Sequence, residues 1–337
     1  MNAAAHWFFC VMIPVFIFLS PPTLGFDRII ISIPGPRSLS YLPIDLIPKI
    51  GTDREEGIHL QILYAGGGAV ALNNLITRDV DFAAAGVPSA MSLRANGGDV
   101  VVIAAVDDTP IFVLMVRSAL KDQVKCISDL KGKVIGVHTG TSSSKSSFQQ
   151  LAELLLRSDG ISPDAVRFVP VSQNWVELSA LVTSNTVDAI MGGEPFASRL
   201  QAEGQIFFLA NLAEPAIIKR VHGAHFLHAV LVTRNDMVAQ APKKVEKMVR
   251  ILKRTLAWIS SHTPEQIVDA LQITDSREYN SLLYSLRKYP RAFSRDGSFS
   301  NTQLQETDYF FHSDGSDNFQ GLLIKNMIDD RWVGQSP

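Results

Sequence analysis

Ile58–Tyr64 reads IHLQILY, Gly66-Gly67-Gly68 follows, and after a stretch of helical periodicity the chain runs VDFAAAG from Val80 to Gly86. The same order recurs further along: VRFVPV from Val166 to Val171, a polar turn, a second helical stretch, then VDAIMGG from Val187 to Gly193. Each copy reads as strand, turn, helix, short apolar strand and glycine turn, with Asp81 and Asp188 at matching points. An α/β unit written twice predicts two similar lobes, and two lobes in one chain imply a cleft. Glycine and hydroxyl turns on both walls suit that cleft to a small ligand.

The flanking sequence fits the same plan. RIIISI, Arg28 to Ile33, is a strand ending in Pro34-Gly35-Pro36, and Ser38 to Ile47 is a turn entering a helix. Helices are expected over 69–77 and 89–95, and VVVIAAV, Val100 to Val106, has the unbroken apolar character of a buried parallel-sheet strand. Asp107 to Pro110 is the expected first crossing between lobes, Ala213 to His225 the return, and Phe226 to Val232 a strand back in the first lobe. The expected division is 1–25 leader or anchor, 26–108 first part of lobe 1, 109–221 lobe 2, and 222–337 the return to lobe 1 with C-terminal helices. Val245, Met248, Val249, Leu252, Leu256 and Ile259 form an apolar stripe at helical spacing between Pro242 and Ser260. The lysines and arginines on the rest of that helix read as a solvated face. A terminal helix is expected near Phe319 to Asp329.

The chain has 337 residues, enough for two domains, with 46% hydrophobic and 19% charged residues and a net charge of −2. That balance provides no electrostatic basis for binding nucleic acid. WFFCVMIPVFIFL, Trp7 to Leu19, is too short for a spanning helix of about 20 residues and fits the apolar core of a secretory leader. No Lys or Arg precedes it, so an uncleaved anchor and a buried N-terminal segment stay open. With the leader removed, Cys126 has no cysteine partner.

The turns carry the chemistry. Helix starts offer unpaired N–H groups, small residues let a ligand approach them, and hydroxyls add donors. Ser38 and Ser40, Gly67 and Gly68, Ser89, and Thr141 and Ser142 have this character in both lobes. Taken singly, each reads equally as ordinary capping. Glu194, in GGEPF, either faces the cleft or caps within its own lobe. Trp175 either stacks on a planar or apolar part of the ligand or packs at the rim. His222, His225 and His228 do not share a strand face, so no metal site is expected. Ser142 or Ser143 with His138 and Asp107 would make a hydrolytic triad, but no G-x-S-x-G elbow surrounds either serine.

These pieces in this order resemble a family. DLKGKVIGV, Asp129 to Val137, the Gly140-Thr141-Ser142 turn, the paired VDFA and VDAI elements, Gly193-Glu194-Pro195-Phe196, Pro242-Lys243-Lys244-Val245 with its long helix, and Thr263 to Ile267 carry the likeness. The chain resembles the periplasmic substrate-binding proteins of ABC importers, in the group that binds sulfonates, taurine, nitrate and thiamine pyrimidine precursors. The resemblance implies an α/β fold of two Rossmann-like lobes, periplasmic binding protein-like type II, closing on a ligand like a hinged clamp. It implies a small-molecule ligand, an inner-membrane permease with its ATPase as partner, no cofactor, a monomer, and a place in the periplasm. It puts the binding positions near Ser38, Ser40, Gly67, Gly68, Ser89, Thr141, Ser142 and Glu194. Two other classes remain: a pyrimidine-precursor synthase-like enzyme and a ligand-sensing domain.

Overall fold

The computed structural model describes residues 27–138, 146–172, 174–312 and 321–334. In chain order these form β1 (Asp27–Ile33), α1 (Leu42–Ile50), α2 (Thr52–Glu55), β2 (Ile58–Tyr64), α3 (Gly68–Ile76), β3 (Phe82–Gly86), α4 (Val87–Ala95) and β4 (Val100–Ala105). The second sheet is built from β5 (Phe112–Arg117), β6 (Val134–His138), β7 (Arg167–Val171), β8 (Ala189–Gly193) and β9 (Ile206–Asn211), with α5 (Ser147–Ser158), α6 (Trp175–Thr183) and α7 (Phe196–Ala202) between them. The chain then passes through α8 (Pro215–Arg220) to β10 (Ala229–Arg234) in the first sheet. It ends in α9 (Asn235–Gln240), α10 (Pro242–Ser261), α11 (Pro264–Ala270), α12 (Ser276–Lys288) and α13 (Asn301–His312).

The strand orders are β2-β1-β3-β10-β4 and β7-β6-β8-β5-β9. In each sheet four of the five strands point the same way, and the fourth in the order is antiparallel to both of its neighbours. The sequence repeat is therefore a structural one. β2, α3 and β3 correspond to β7, α6 and β8, flanking the equivalent strands β1 and β6. The two sheets exchange chain twice, between β4 and β5 and between β9 and β10. Parallel strands with helices on their faces are buried on both sides, which is why β3 and β4 are apolar throughout and fully buried.

The paired aspartates do the same work in both lobes. Asp81 accepts the amide of Ile30 at 2.9 Å, and Asp188 accepts that of Val134 at 2.9 Å. Each returns its own amide to the carbonyl of the same residue, at 2.9 Å in both cases. The second carboxylate oxygen meets Lys244 at 2.7 Å in one lobe and Arg117 at 3.1 Å in the other. The VD pair thus locks the turn before β3 or β8 to the neighbouring central strand.

The α10 stripe is buried as its spacing requires, and its basic face is paired: Lys247 with Asp27, Arg250 with Glu56, and Arg254 with Glu55 and Glu56. Beyond α10, a second core joins Leu39, Leu42 and Leu46 to Ile111 of the first crossing and to Ile267, Leu282 and Leu286 of the C-terminal helices. Two expectations change. The strand expected at 226–232 runs from Ala229 to Arg234, because Leu227 and His228 turn inward ahead of it, the Leu227 amide binding the Thr307 hydroxyl at 2.9 Å. No helix spans 321–329; Ile324–Met327 is a single 3-10 turn, held by the Ile324 amide on Asp308 at 2.7 Å.

Asp81→Ala and Asp188→Ala each strand one backbone amide and one basic group. Each should cost about 1–3 kcal/mol in urea denaturation, with similar losses in the two lobes. A loss at one position and none at the other would contradict their equivalence.

Candidate functional site

The carboxyl ends of β1, β2 and β3 and of β8 deliver their turns to one seam between the lobes, the position where open α/β sheets bind ligands. Gly67 and Gly86 are the N-caps of α3 and α4, and neither helix start has a capping side chain. The first turn of α3 supplies donors and the positive end of its helix dipole at that seam, whereas in α4 the Val87 amide is taken by the His228 carbonyl at 2.8 Å and Pro88 has no N–H, so its donors begin at Ser89. Ser147, the first residue of α5, stands across from them, its hydroxyl 3.2 Å from that of Ser89.

Gly86 is what allows this approach. Its φ of −72° and ψ of 136° are ordinary extended values, so its backbone does not demand glycine. The space does: an ideal Cβ there would stand 2.1 Å from Ser147 Oγ, 3.1 Å from Ser147 Cβ and 3.1 Å from His228 Nε2. A second contact joins the lobes nearby, where the Leu39 amide donates to the carbonyl of Glu194 at 2.9 Å.

Beneath the seam lies a buried pair. His228 Nδ1 and Asp107 Oδ2 are 2.8 Å apart, and both side chains are almost wholly excluded from solvent. Asp107 Oδ1 accepts the Ala229 amide at 2.7 Å, and the Ser40 side chain also bonds this carboxylate. Burial pushes the Asp107 pKa up, while His228 and the other donors pull it back. His138, at the end of β6, lies 3.6 Å from the Phe148 ring, and burial drives its pKa down to about 3, which keeps it neutral. Asp107 therefore pairs with His228, not with His138 as a triad would require.

Outward from the seam, and sharing Pro34 with it, is a cavity of about 630 Å3. Lobe 1 lines it with Pro34 to Arg37, Tyr64 and Gly66; lobe 2 with Asn174, Trp175 and Arg199; and α12 with Glu278 and Ser281. The lip is charged but internally paired: Arg37 meets Glu278 at 2.6 Å, and Arg199 lies near Glu203 and Asp275. Asp45 sits behind the lip, accepting the Arg37 amide at 2.6 Å and the Tyr64 hydroxyl at 2.8 Å. Burial pushes its pKa up to about 6 despite those bonds.

The structure sorts the sequence candidates. Gly67, Gly68 and Ser89 lie at the seam, and Trp175 lines the cavity with the Arg199 guanidinium 3.8 Å from its ring centre. Ser38 is half-buried beside that cavity, and its carbonyl accepts the Tyr41 amide at 3.1 Å. Ser40 is buried on Asp107, turned inward. The Glu194 carboxylate is buried and caps within its own lobe, accepting the amide and hydroxyl of Ser198 at 2.9 and 2.7 Å, and it also accepts the Ser285 hydroxyl of α12 at 3.5 Å. Thr141 and Ser142 lie outside the described residues. Sequence reading passed over Arg37, Tyr64, Ser147 and the α12 residues. Only Ser147, at a helix start after a hydroxyl-rich turn, had a local signal.

A family model described as NMT1/THI5 like matches residues 54–267, more than half of the chain. The chain belongs to that family. A Brucella abortus (strain 2308) protein named "Putative binding protein" is 26% identical over 203 residues, covering 60% of this chain. The chain spans 57% of the length of that relative. The alkanesulfonate-binding protein SsuA of Xanthomonas axonopodis pv. citri, solved with MOPS, shares the fold at a TM-score of 0.72 and 17% identity, over 90% of this chain and 98% of that one. The desulfurization enzyme DSZB shares it at 0.57 and 17%, over 91% and 97%. The fold of this family member is therefore the two-lobed periplasmic binding protein fold.

Two outcomes follow from the geometry. Gly86→Ala should hold the lobes apart, read as a larger radius of gyration in solution scattering, and Ser147→Gly in the same chain should restore the wild-type value; an unchanged radius in Gly86→Ala would contradict the close approach. Between its ordinary value of 3.8 and about 6, Asp45 binds more protons folded than unfolded, so its contribution to stability falls as pH rises through that window. Denaturation curves of wild type and Asp45→Asn should therefore diverge from pH 4 to pH 6, with the variant gaining up to about 3 kcal/mol relative to wild type above it.

Proposed function

We propose that this protein is the extracytoplasmic solute-binding component of an ABC importer, acting in the periplasm without catalysing a reaction. It holds a small organic or inorganic anion, or a thiamine pyrimidine precursor, between its lobes and delivers it to an inner-membrane permease and its ATPase. The observation that carries this reading is the opposition of the uncapped start of α3 and of Ser89 in α4, in one lobe, to the Ser147 start of α5 in the other. Each wall offers half a set of donors, so affinity requires both, and binding shifts the chain toward the closed shape. The cavity at the lip, about 630 Å3, is within the range that holds a small molecule. The family match, the SsuA likeness and the apolar run at Trp7 to Leu19 support the same assignment.

A second reading is enzymatic. It is favoured by the buried Asp107–His228 pair and by the fold shared with DSZB. A thermal-shift screen of alkanesulfonates, nitrate, aromatic carboxylates and aminopyrimidines, followed by calorimetry, separates the two. Binding at one site with no product after long incubation is the expected result. In the same assay Ser89→Trp should abolish binding while the melting curve stays cooperative. Turnover of a bound solute, or binding unaffected by Ser89→Trp, would overturn the proposal.

A further inference from the structure

Resting on the solute-binding reading, we propose that Nε2 of His228 is a ligand-contacting acceptor at the floor of the cleft, and that the bound solute presents an O–H or N–H to it. Asp107 receives the Ala229 amide and the Ser40 side chain besides the imidazole, three donors on one carboxylate. A carboxylate only accepts, so Nδ1 carries the proton toward it, and Nε2 is then the ring nitrogen that accepts in the tautomer the proposal requires. That nitrogen is buried and has no hydrogen-bond partner among the described residues. The ring is walled by Phe112 at 4.4 Å, Phe226 at 5.8 Å and Tyr41 at 6.1 Å between centroids, so those rings hold its orientation.

A buried acceptor without a partner costs about 1–3 kcal/mol, and such groups are rare. This one points at the seam. Nε2 stands 3.1 Å from where a Gly86 side chain would begin, the point that the Ser147 hydroxyl of the other lobe approaches to 2.1 Å, so it is shut in by the contact between the lobes. Converging there are two kinds of group: the uncapped amides of α3 with those of α4 from Ser89 onward, which donate, and Nε2, which accepts. A solute satisfying both carries an acceptor, an anionic or carbonyl oxygen or a ring nitrogen, together with a hydroxyl or amine. Hydroxy- or amino-substituted acids and aminopyrimidines have both; nitrate and unsubstituted alkanesulfonates lack the donor.

Asp107→Asn inverts the polarity of the site. The Asn carbonyl keeps the Ala229 amide, its NH2 faces Nδ1, and the imidazole proton moves to Nε2. The test uses the full chain, calorimetry and side-chain 15N spectra of His228, with two matched pairs: 2-hydroxyethanesulfonate against ethanesulfonate, and 4-aminopyrimidine against pyrimidine. The wild type should show an unprotonated Nε2 and bind the donor-bearing member of at least one pair about tenfold to hundredfold more tightly, with a shift of the Nε2 resonance. Asp107→Asn should remove or reverse that preference. Equal affinities within both pairs, a protonated Nε2 in the free wild type, or an equal loss for both members in Asp107→Asn would overturn the inference and leave solute binding standing. Binding of neither pair, with a solute lacking any O–H or N–H bound in the wider screen, would likewise overturn the inference and leave solute binding standing. The wild-type spectra and pair preferences stand even if Asp107→Asn does not fold.

Discussion

The approach of Ser147 to Gly86 is the contact on which the account depends. It brings the start of a helix in one lobe against the turn that starts a helix in the other, at a point where any side chain larger than hydrogen would intervene. Because the Gly86 backbone is ordinary, the residue is small for its neighbour's sake and not for its own conformation. The site is therefore a property of two lobes in contact. Neither sheet alone assembles the donors of α3 and α4 with the α5 start, and neither alone encloses the cavity lined by Arg37, Trp175 and Glu278.

Around that contact the molecule is stiff where it must be. The Asp81 and Asp188 clamps fix the strand ends that deliver the turns. The second core, from Leu39 and Leu42 through Ile111 to Leu282 and Leu286, ties the first crossing to the C-terminal helices. The two lobes are joined through the crossings between β4 and β5 and between β9 and β10. The Asp107 carboxylate sits at the start of one crossing and His228 at the end of the other, so the buried pair joins the two connecting segments just below the seam.

Much of this was legible in the sequence because it rests on local pattern. The period of the strands, the glycine turns and the repeated VD pair specified two α/β lobes, and the order of motifs specified the family. The paired aspartates could be matched by position, although their role as strand clamps needed coordinates. What stayed illegible depends on residues far apart in the chain. Asp107 and His228 were each noticed for other chemistry, but nothing local pairs residues separated by 121 positions. Glu194 had two readings of equal standing, and a nearby serine at the right helical spacing decided the geometry. Helix α12 carries no motif, yet it supplies part of the cavity wall, because packing against α7 and not any sequence signal sets its place.

The central claim is that the lobes open and close on a solute. With Cys10 and Cys126 replaced by serine, spin labels at the exposed His59 and Arg167, one on the edge strand of each sheet, report the distance between the lobes. Pulsed electron resonance should show a broad distribution in the free protein that collapses to its short-distance end with any solute that binds by calorimetry. A single distance that stays the same with and without a bound solute would contradict the account.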